Sequence, residues 1–464
     1  MKKSIYPIKL HSPLQNIITA ALGAVILTGS VSVFAASDTQ SGALATADQN
    51  AVETLAIKLL SSAEVKKQKE ETLKIFQSHA EANSEEGKKT LRNAVDELAF
   101  AAALGAANSD PTHPKVTWIW TAPRTWFNHK VPGSRFAIDN PDNVYRIITV
   151  DGASKYEIVG HIKQPGPTQF SFLLYDQLLG ENYEQKNTDN LDKPIAGLRD
   201  RDIKLEADGS FRITVDSEPA NGRVNHIQST SDAKILLVRN TFSDWAKQNP
   251  QDIQIKRVSG PEAAKPASDK ELAKIAANYL KGGTDTLFKI KSKGEWANGQ
   301  SNTLSKPVLR GGGWGFASNG SFKFGKDEAL LVTLDPSGAK YLSVDLTDPW
   351  WVSREHIRAN GNLNNVAAKA NKDGSFTYVI SAKDPGIQNW LDTGGLHEGS
   401  ILIRWQDLPE TVKSADGAVR EIKLVKLNEL PKLLPAEATQ VTPEQRKQQY
   451  ASRALSYAHR YVAD

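Results

Sequence analysis

A tight turn followed by a β-rich run occurs twice in this chain of 464 residues. Asp208–Phe211 (Asp-Gly-Ser-Phe) opens a run to Val215, and Asp373–Phe376, with the same four residues, opens a run to Ile380. Asp-Gly is a strong signal for a tight turn between strands, and the β-branched and aromatic residues after it favour strands. The chain must therefore form strands at corresponding places in two separate segments.

Further matches follow the two turns in the same order. Glu218-Pro219 corresponds to Asp384-Pro385, Asn225-His226 to Asn389-Trp390, and the run 234–239 to the run 400–404, while upstream the turn at 151–156 resembles that at 335–341. Ordered matches of this kind favour a duplicated block. The alternative is that two unrelated β-sandwiches use the same turn chemistry independently.

Each block is rich in candidate strands. Those of the first block, bounded by Gly, Pro, Asn and Asp, are predicted at 144–150, 156–162, 170–175, 211–215 and 235–238. The second block extends over 306–408. The chain is therefore predicted to be mainly β with helical additions, an α+β protein whose two blocks are β-sandwiches of jelly-roll type.

Helices are expected on both sides of the blocks and between them. Residues 48–107 carry apolar side chains at helical spacing. Ser268 and Glu271 form a capping box, and Gly282-Gly283 should end the helix that follows.

A C-terminal helix should begin with the capping box of Thr442 and Gln445 and continue to about Tyr461. Its apolar positions, expected to pack on the body, are Tyr450, Leu455, Tyr457 and Tyr461. The predicted division is a signal peptide at 1–35, a helical segment at 48–107, a first β-rich domain at 115–258, a helical linker at 261–300, a second β-rich domain at 305–410 and a tail at 411–464.

The N-terminus has the pattern of a secretory signal peptide. Three lysines and no acidic residue accompany an apolar stretch from Ile17 to Leu27, and small residues permit cleavage after Ala35 or Ala36. The apolar stretch is shorter than the about 20 residues that a membrane span needs, and no later run is long enough. We expect an exported protein of the periplasm or the medium, with no membrane span after cleavage.

Charge and cysteine content exclude several classes of protein. The chain has 57 basic and 53 acidic residues, and removing the three signal lysines leaves 57 − 3 = 54 against 53. A nearly neutral mature chain gives no electrostatic signal for nucleic acid. The sequence has no cysteine, which excludes disulfides, thiolate catalysis and cysteine-based metal sites. No motif predicts a cofactor, a metal site or an oligomeric state.

The densest group of chemically active side chains lies in a long loop at 384–399. Loops on a rigid sandwich often carry sites. Asp392 and Glu398 could form an acid–base pair assisted by His397, because glycoside hydrolysis needs paired carboxylates. Alternatively, Asp392 binds loop amides and pairs with Arg404. The ligand contacts predicted here are Asp384, Asn389, Trp390 and Arg404.

A second group, at 348–356, contains the adjacent Trp350 and Trp351. Neighbouring side chains on a strand point to opposite faces. We therefore expect one indole to pack in the core and the other to line a groove, and both tryptophans are included as candidate ligand contacts.

The second block resembles domain of unknown function (DUF) family 1214. The resemblance is specific over 335–406 and looser over the first block, and the residues that carry it are Asp384–Gly386, Asn389–Gly394, Glu398-Gly399, Arg404-Trp405, Asp348–Trp350 and Asn362–Asn364, with Asn140–Asn143 and Tyr145-Arg146 nearer the start. The chain differs from the expected aromatic pattern at Arg354–His356, so no ligand contact is carried over there. The resemblance implies a β-rich fold and no settled activity.

Three functions follow as hypotheses. The first is an exported soluble protein that binds a small apolar or carbohydrate ligand in a tryptophan-lined cleft of the second block. The second is a glycosidase-like hydrolase at the same loop, which needs its two carboxylates on one cavity, about 5–10 Å apart. The third is a structural or assembly protein whose helical ends make the contacts.

Overall fold

The computed structural model describes residues 42–177, 194–292, 300–310 and 314–461. Over these ranges the protein is mainly β with helical additions, as predicted. The predicted signal peptide at 1–35 lies outside the described residues. No helix within these ranges combines the length and apolar character needed to cross a membrane.

The N-terminal helical segment consists of α1 (Ala47–Leu60), α2 (Ala63–Ser78) and α3 (Glu85–Ala107). Each helix begins after a hydroxyl side chain that accepts a backbone N–H of the first turn, the usual way of satisfying an unpaired donor there. A single 3₁₀ turn, Ala80–Asn83, joins α2 to α3.

The first block is a sandwich of two sheets. Its strands are β1 (Thr117–Ile119), β2 (Arg124–Trp126), β3 (His129–Val131), β4 (Asn143–Thr149), β5 (Lys155–His161), β6 (Gln169–Tyr175), β7 (Ala196–Arg199), β8 (Ser210–Asp216), β9 (His226–Gln228), β10 (Ile235–Thr241) and β11 (Asp252–Ser259). The sheets have the orders β1-β4-β10-β6-β7 and β11-β5-β8-β9, and β2 pairs with β3. Apolar side chains from both sheets form one core.

Helix α4 (Asp269–Lys291) starts at the predicted capping box but does not end at Gly282-Gly283. The predicted end is wrong because α4 packs closely on α3. A Cβ at Gly283 would lie 3.3 Å from a methyl group of Leu98, and one at Gly105 would lie 3.3 Å from the ring of Tyr279. Tertiary packing therefore outweighs the low helix propensity of glycine.

The second block is also a sandwich of two sheets. Its strands are β12 (Thr303–Leu304), β13 (Val308–Leu309), β14 (Phe316–Lys323), β15 (Glu328–Leu334), β16 (Tyr341–Thr347), β17 (Asn362–Asn364), β18 (Phe376–Ser381), β19 (Trp390–Asp392), β20 (Glu398–Gln406) and β21 (Val419–Lys426). The sheets have the orders β12-β14-β20-β16-β17 and β19-β18-β15-β21. Two helices, α5 (Leu430–Leu433) and α6 (Pro443–Ala458), follow, and α6 begins at the predicted capping box.

The two blocks share one strand order. In the first, β4-β10-β6-β7 faces β11-β5-β8-β9, and in the second, β14-β20-β16-β17 faces β21-β15-β18-β19. The last pair of each smaller sheet is parallel in both blocks. The upstream match predicted from sequence is wrong, because 151–156 joins β4 to β5 whereas 335–341 joins β15 to β16. Similar turn residues occur at unrelated strand connections.

The blocks meet where the segment before β4 contacts the loop after β16. The Ile138 N–H donates to the Trp351 carbonyl at 3.1 Å, and the Ser353 hydroxyl donates to Asp139 Oδ2 at 3.0 Å. Burial raises the pKa of Asp139 to about 7, against the opposing charge of Arg135. A carboxyl group that titrates near neutral pH therefore lies at this seam.

The native chain is expected to lose stability as the pH rises, whereas the Asp139→Asn variant should not. The stability of the variant relative to the native chain should therefore increase with pH. An unfolded aspartate has a pKa of about 3.9, so the raised pKa in the folded state gives a contribution that is complete below about pH 4. This contribution is lost as the pH rises through about 7. Between pH 5 and pH 8 the free energy of unfolding of the native chain should fall by about 2.5 kcal/mol relative to that of Asp139→Asn.

Urea unfolding of both proteins at several pH values measures this difference. Asp373→Asn is the control, because Asp373 is exposed and hydrogen bonds from Ser375 lower its pKa to about 2, below the tested range. A difference between native and Asp139→Asn proteins that stays constant with pH would contradict the expectation.

Candidate functional site

The adjacent tryptophans sit on a turn shaped by Asp348. Its Oδ1 accepts the N–H groups of Trp350 at 2.9 Å and Val352 at 3.1 Å. Trp351 has a φ of +69°, in the left-handed region that side-chain-bearing residues rarely adopt. This backbone points the two indoles in different directions.

Trp350 packs in the core, as expected for one of the pair. Its side chain is 0% exposed, Nε1 donates to the Gly87 carbonyl at 2.8 Å, and the ring lies 5.0 Å from that of Phe76. These contacts anchor α2 and α3 to the second block. The burial of Trp350 argues against the predicted ligand contact at this residue.

Trp351 borders a cleft of about 470 Å³. The cleft lies between the α2–α3 connection, the end of α4 and the second block. We call it the Trp351 cleft and define it by Glu81, Asn83, Lys291, Lys323, Trp351, Glu398 and Ser400. Trp351 Nε1 donates to the Ser400 hydroxyl at 3.1 Å, and the ring itself is only 2% exposed, which leaves no face for a stacked ligand.

One ion pair of the cleft comes from the helical layer. Lys291 Nζ lies 3.0 Å from Glu81 Oε1 and donates to the Pro349 carbonyl at 2.9 Å. It also lies 4.5 Å from the centre of the Trp351 ring, within range of a cation–π contact. Burial lowers the pKa of Lys291, although Glu81 opposes this effect. The ammonium is thus held in one place beside the cleft.

The other ion pair comes from the second block. Lys323 on β14 lies 3.1 Å from Glu398 at the start of β20, and both strands belong to the larger sheet. The Lys323 side chain is 65% exposed and that of Glu398 is 18% exposed. The cleft is therefore lined by opposite charges, an amide and hydroxyl groups from the helical layer and from the second block.

Asp392, the predicted partner of Glu398, has different surroundings. Its Oδ1 accepts the Gly394 N–H at 2.7 Å, as the structural interpretation proposed, and its Oδ2 accepts the Tyr450 hydroxyl at 3.3 Å. Burial raises the pKa of Asp392. The carboxylate that lines the cleft together with Glu398 is Glu81, and sequence analysis did not identify it.

His397 anchors its loop to the first turn of α3. Its backbone N–H donates to Glu86 Oε1 at 3.2 Å, and its Nδ1 lies 3.1 Å from the same oxygen. Burial raises the pKa of Glu86, but the hydrogen bonds from His397 outweigh burial and the net pKa is lowered. These contacts favour a positioning role for His397 over the predicted assistance in catalysis.

Asn389 and Trp390 are tied to the backbone of the second block. The Asn389 amide donates to the carbonyls of Lys369 at 2.8 Å and Thr377 at 3.0 Å. The Trp390 indole is 5% exposed and donates to the Ser381 carbonyl at 3.2 Å. Both side chains therefore attach the loop to the backbone of the second block, which does not support the predicted ligand contacts.

Asp384 and Arg404 also have structural partners. Asp384 Oδ2 lies 2.9 Å from Arg446 Nε on α6. Arg404 forms a buried ion pair with Asp345 and donates to the Ile138 carbonyl at 2.8 Å. The alternative pairing of Arg404 with Asp392 is therefore wrong, and the guanidinium links the two blocks.

Metal coordination is not suggested by the side chains in the described ranges. Within them, no group of three or more His, Cys, Asp or Glu residues is arranged to hold a metal ion. The chemistry of the Trp351 cleft therefore rests on its charged pairs, amide and hydroxyl groups.

Comparison with known proteins identifies the fold and no function. No family model matches the chain, and no curated protein matches it. An uncharacterized protein from Burkholderia cenocepacia of known structure is 22% identical, with a TM-score of 0.64 over 81% of this chain and 100% of that chain. The VPA0106 protein from Vibrio parahaemolyticus is 13% identical, with a TM-score of 0.39 over 62% of this chain and 90% of that chain. The Burkholderia structure shows that the fold is shared.

Proposed function

We propose that this protein binds a small polyhydroxylated ligand, of the carbohydrate class, in the Trp351 cleft. The observation that carries the proposal is that two ion pairs, Lys291–Glu81 and Lys323–Glu398, line one cleft. A volume of about 470 Å³ is within the range of small-molecule sites. Sugar hydroxyls both donate and accept hydrogen bonds, which suits walls that offer both kinds of partner.

This proposal favours one of the three functions suggested by the sequence, the binding of a carbohydrate, over the others. An apolar ligand is disfavoured because the walls carry four charged groups and Trp351 presents little surface. Hydrolysis by Asp392 and Glu398 is disfavoured because Asp392 is bound by Tyr450 on α6. A solely structural role is disfavoured because the predicted loop borders an open cleft.

Replacing Lys323 with methionine is expected to weaken sugar binding about tenfold or more. The exposed ammonium is a donor at the cleft wall, and a hydrogen bond to a charged group contributes about 1.5–3 kcal/mol. Thermal-shift screening of the full chain against mono- and disaccharides identifies a binder, and calorimetric titration then compares the variants.

Lys326→Met is the matched control, because Lys326 is an exposed lysine just beyond β14 and outside the cleft. Its affinity for the sugar should equal that of the native chain. Glu398→Gln should also weaken binding, since it removes the partner that positions Lys323. Unchanged affinity in both cleft variants, or no binding of any sugar, would reject the proposal.

We also propose that the protein is exported, that its two blocks arose by duplication and that it is related to DUF family 1214. The signal pattern ending near Ala35 supports export to the periplasm or the medium. The shared strand order of the two blocks supports an origin by duplication. The residues at 384–405 support a relationship to DUF family 1214.

A further inference from the structure

A second cavity lies on the first block, between α3, α4 and the sheet that contains β1 and β4. It has a volume of about 50 Å³, is partly open and is lined mainly by apolar side chains. We call it the Thr117 pocket and define it by Leu98, Gly105, Asn108, Thr117, Trp120 and Tyr279. No aspartate, glutamate, lysine or arginine is among its lining residues.

Two residues that line this pocket each carry a buried polar atom with no hydrogen-bond partner within the described residues: Asn108 Oδ1 and Thr117 Oγ1. The two residues are 4% and 1% exposed. The Asn108 amide nitrogen donates to the carbonyls of Lys115 and Ile147, each at 3.3 Å. These bonds fix the orientation of the amide, so that Oδ1 is an acceptor without a donor among the described residues.

Buried polar atoms are nearly always paired with protein or with a bound molecule. An uncharged acceptor and a hydroxyl beside an apolar cavity are suitable partners for the hydroxyl group of a ligand. A ligand hydroxyl donates its proton to Asn108 Oδ1 and accepts one from Thr117 Oγ1, because a hydroxyl is both donor and acceptor. A carboxylate or an ammonium would meet no opposite charge here.

We propose that the Thr117 pocket binds a small neutral alcohol or phenol, with its hydroxyl between Asn108 and Thr117. The apolar body of the ligand lies against Leu98 and Trp120 and extends through the open side of the pocket. One water needs about 10–15 Å³ by this measure, so the hollow is larger than a water site. This site is separate from the Trp351 cleft and does not depend on the function proposed there.

Phenol and benzene are suitable probes, because they differ only in the hydroxyl group. Phenol is expected to raise the melting temperature of the full chain more than benzene does. Thr117→Val removes the hydroxyl while keeping the shape, so it should weaken phenol binding about tenfold and leave benzene binding unchanged. The unliganded variant should be at least as stable as the native chain, because it loses an unpaired buried hydroxyl.

Ala101→Leu tests the location of the pocket independently. Ala101 is a half-buried lining residue of α3, and a leucine there fills the hollow without lowering helix propensity greatly. It should abolish binding of both probes, whereas Ala451→Leu, at an exposed position of α6, should not. No binding of phenol to the native chain, or phenol affinity unchanged by Thr117→Val and Ala101→Leu, overturns the proposal. Lys323→Met should leave phenol binding intact, which separates this test from that of the cleft.

Discussion

Replacing Arg404 with methionine is expected to lower the free energy of unfolding by about 3–5 kcal/mol, the usual effect of removing one partner of a buried ion pair. Arg404 is 2% exposed and Asp345 is 0% exposed. Burial lowers the pKa of Arg404, but the charge of Asp345 and the neighbouring acidic groups together outweigh burial, and the net pKa is raised. The variant would leave the Asp345 carboxylate buried with the Ser343 hydroxyl as its remaining donor. Urea unfolding monitored by far-ultraviolet circular dichroism measures the loss.

Two comparisons identify the cause of that loss. Adding Asp345→Asn to Arg404→Met should recover most of the stability, because no uncompensated charge then remains. Arg420→Met should cost less than about 1 kcal/mol. Arg420 also pairs with two aspartates, Asp335 and Asp373, but it is 37% exposed. If Arg404→Met proved as mild as Arg420→Met, the buried pair would not be a main support of the seam.

The partner of Arg404 illustrates a limit of sequence analysis. The sequence places Arg404 near Asp392, which suggests a pair between residues close in sequence. In the structure β20 pairs with β16, which sets Arg404 opposite Ser343 and brings Asp345 within reach. That register depends on the apolar pattern of the whole sheet, which a local sequence motif does not contain.

Local patterns predicted the elements well. The strand predicted at 156–162 is β5 at Lys155–His161, and the capping boxes before α4 and α6 are formed as expected. Strand alternation and helix capping depend on residues only a few positions apart. The end of α4 was predicted incorrectly because Gly283 meets Leu98 of another helix, which is a contact between distant parts of the chain.

The sequence predicts only part of the candidate site, because the cleft also depends on contacts between distant parts of the chain. Trp351 and Glu398 line the cleft, and both belong to the two groups of chemically active or aromatic residues that the sequence singles out, at 348–356 and 384–399. Glu81 and Lys291 were missed, because acidic and basic residues on or near helices usually mark a solvated surface. Asp392 and Glu398 are close in sequence, but β19 belongs to the smaller sheet and β20 to the larger one.

The C-terminal helix shows a related error. Its predicted apolar face is wrong at Leu455, which is 66% exposed. The face that packs on the body also carries Arg446 and Arg453, and Arg460 follows just beyond the end of the helix. Arg446 and Arg453 are seven residues apart, close to two helical turns, and therefore lie on one face of α6. Sequence analysis treats arginine as a surface residue, whereas here its guanidinium binds backbone carbonyls of the loops beneath.

Arg453→Ala is therefore expected to destabilise the protein by about 2–4 kcal/mol, because it leaves buried acceptors unpaired. Arg453 donates to the His356 carbonyl and to Asn362, and its guanidinium lies 4.2 Å from the centre of the Trp245 ring. Arg453→Lys should not restore stability, since an ammonium lacks the planar group that stacks and donates in two directions. Lys447→Ala, at an exposed position of the same helix, should change stability by less than about 0.5 kcal/mol.

Chemical unfolding followed by tryptophan fluorescence measures these differences. The arginines join the C-terminal segment 443–460 to both blocks, because Arg446 on α6 donates to the Ile387 carbonyl of the second block and Arg460, just beyond α6, donates to the Pro141 carbonyl of the first. Arg453 lies between these two arginines in the sequence. Its loss should therefore weaken both attachments, and the variant should still unfold in a single transition. A loss below about 1 kcal/mol for Arg453→Ala would mean that apolar contacts such as those of Tyr457, which is 3% exposed, hold the helix in place and that the arginines merely fill the space beneath it.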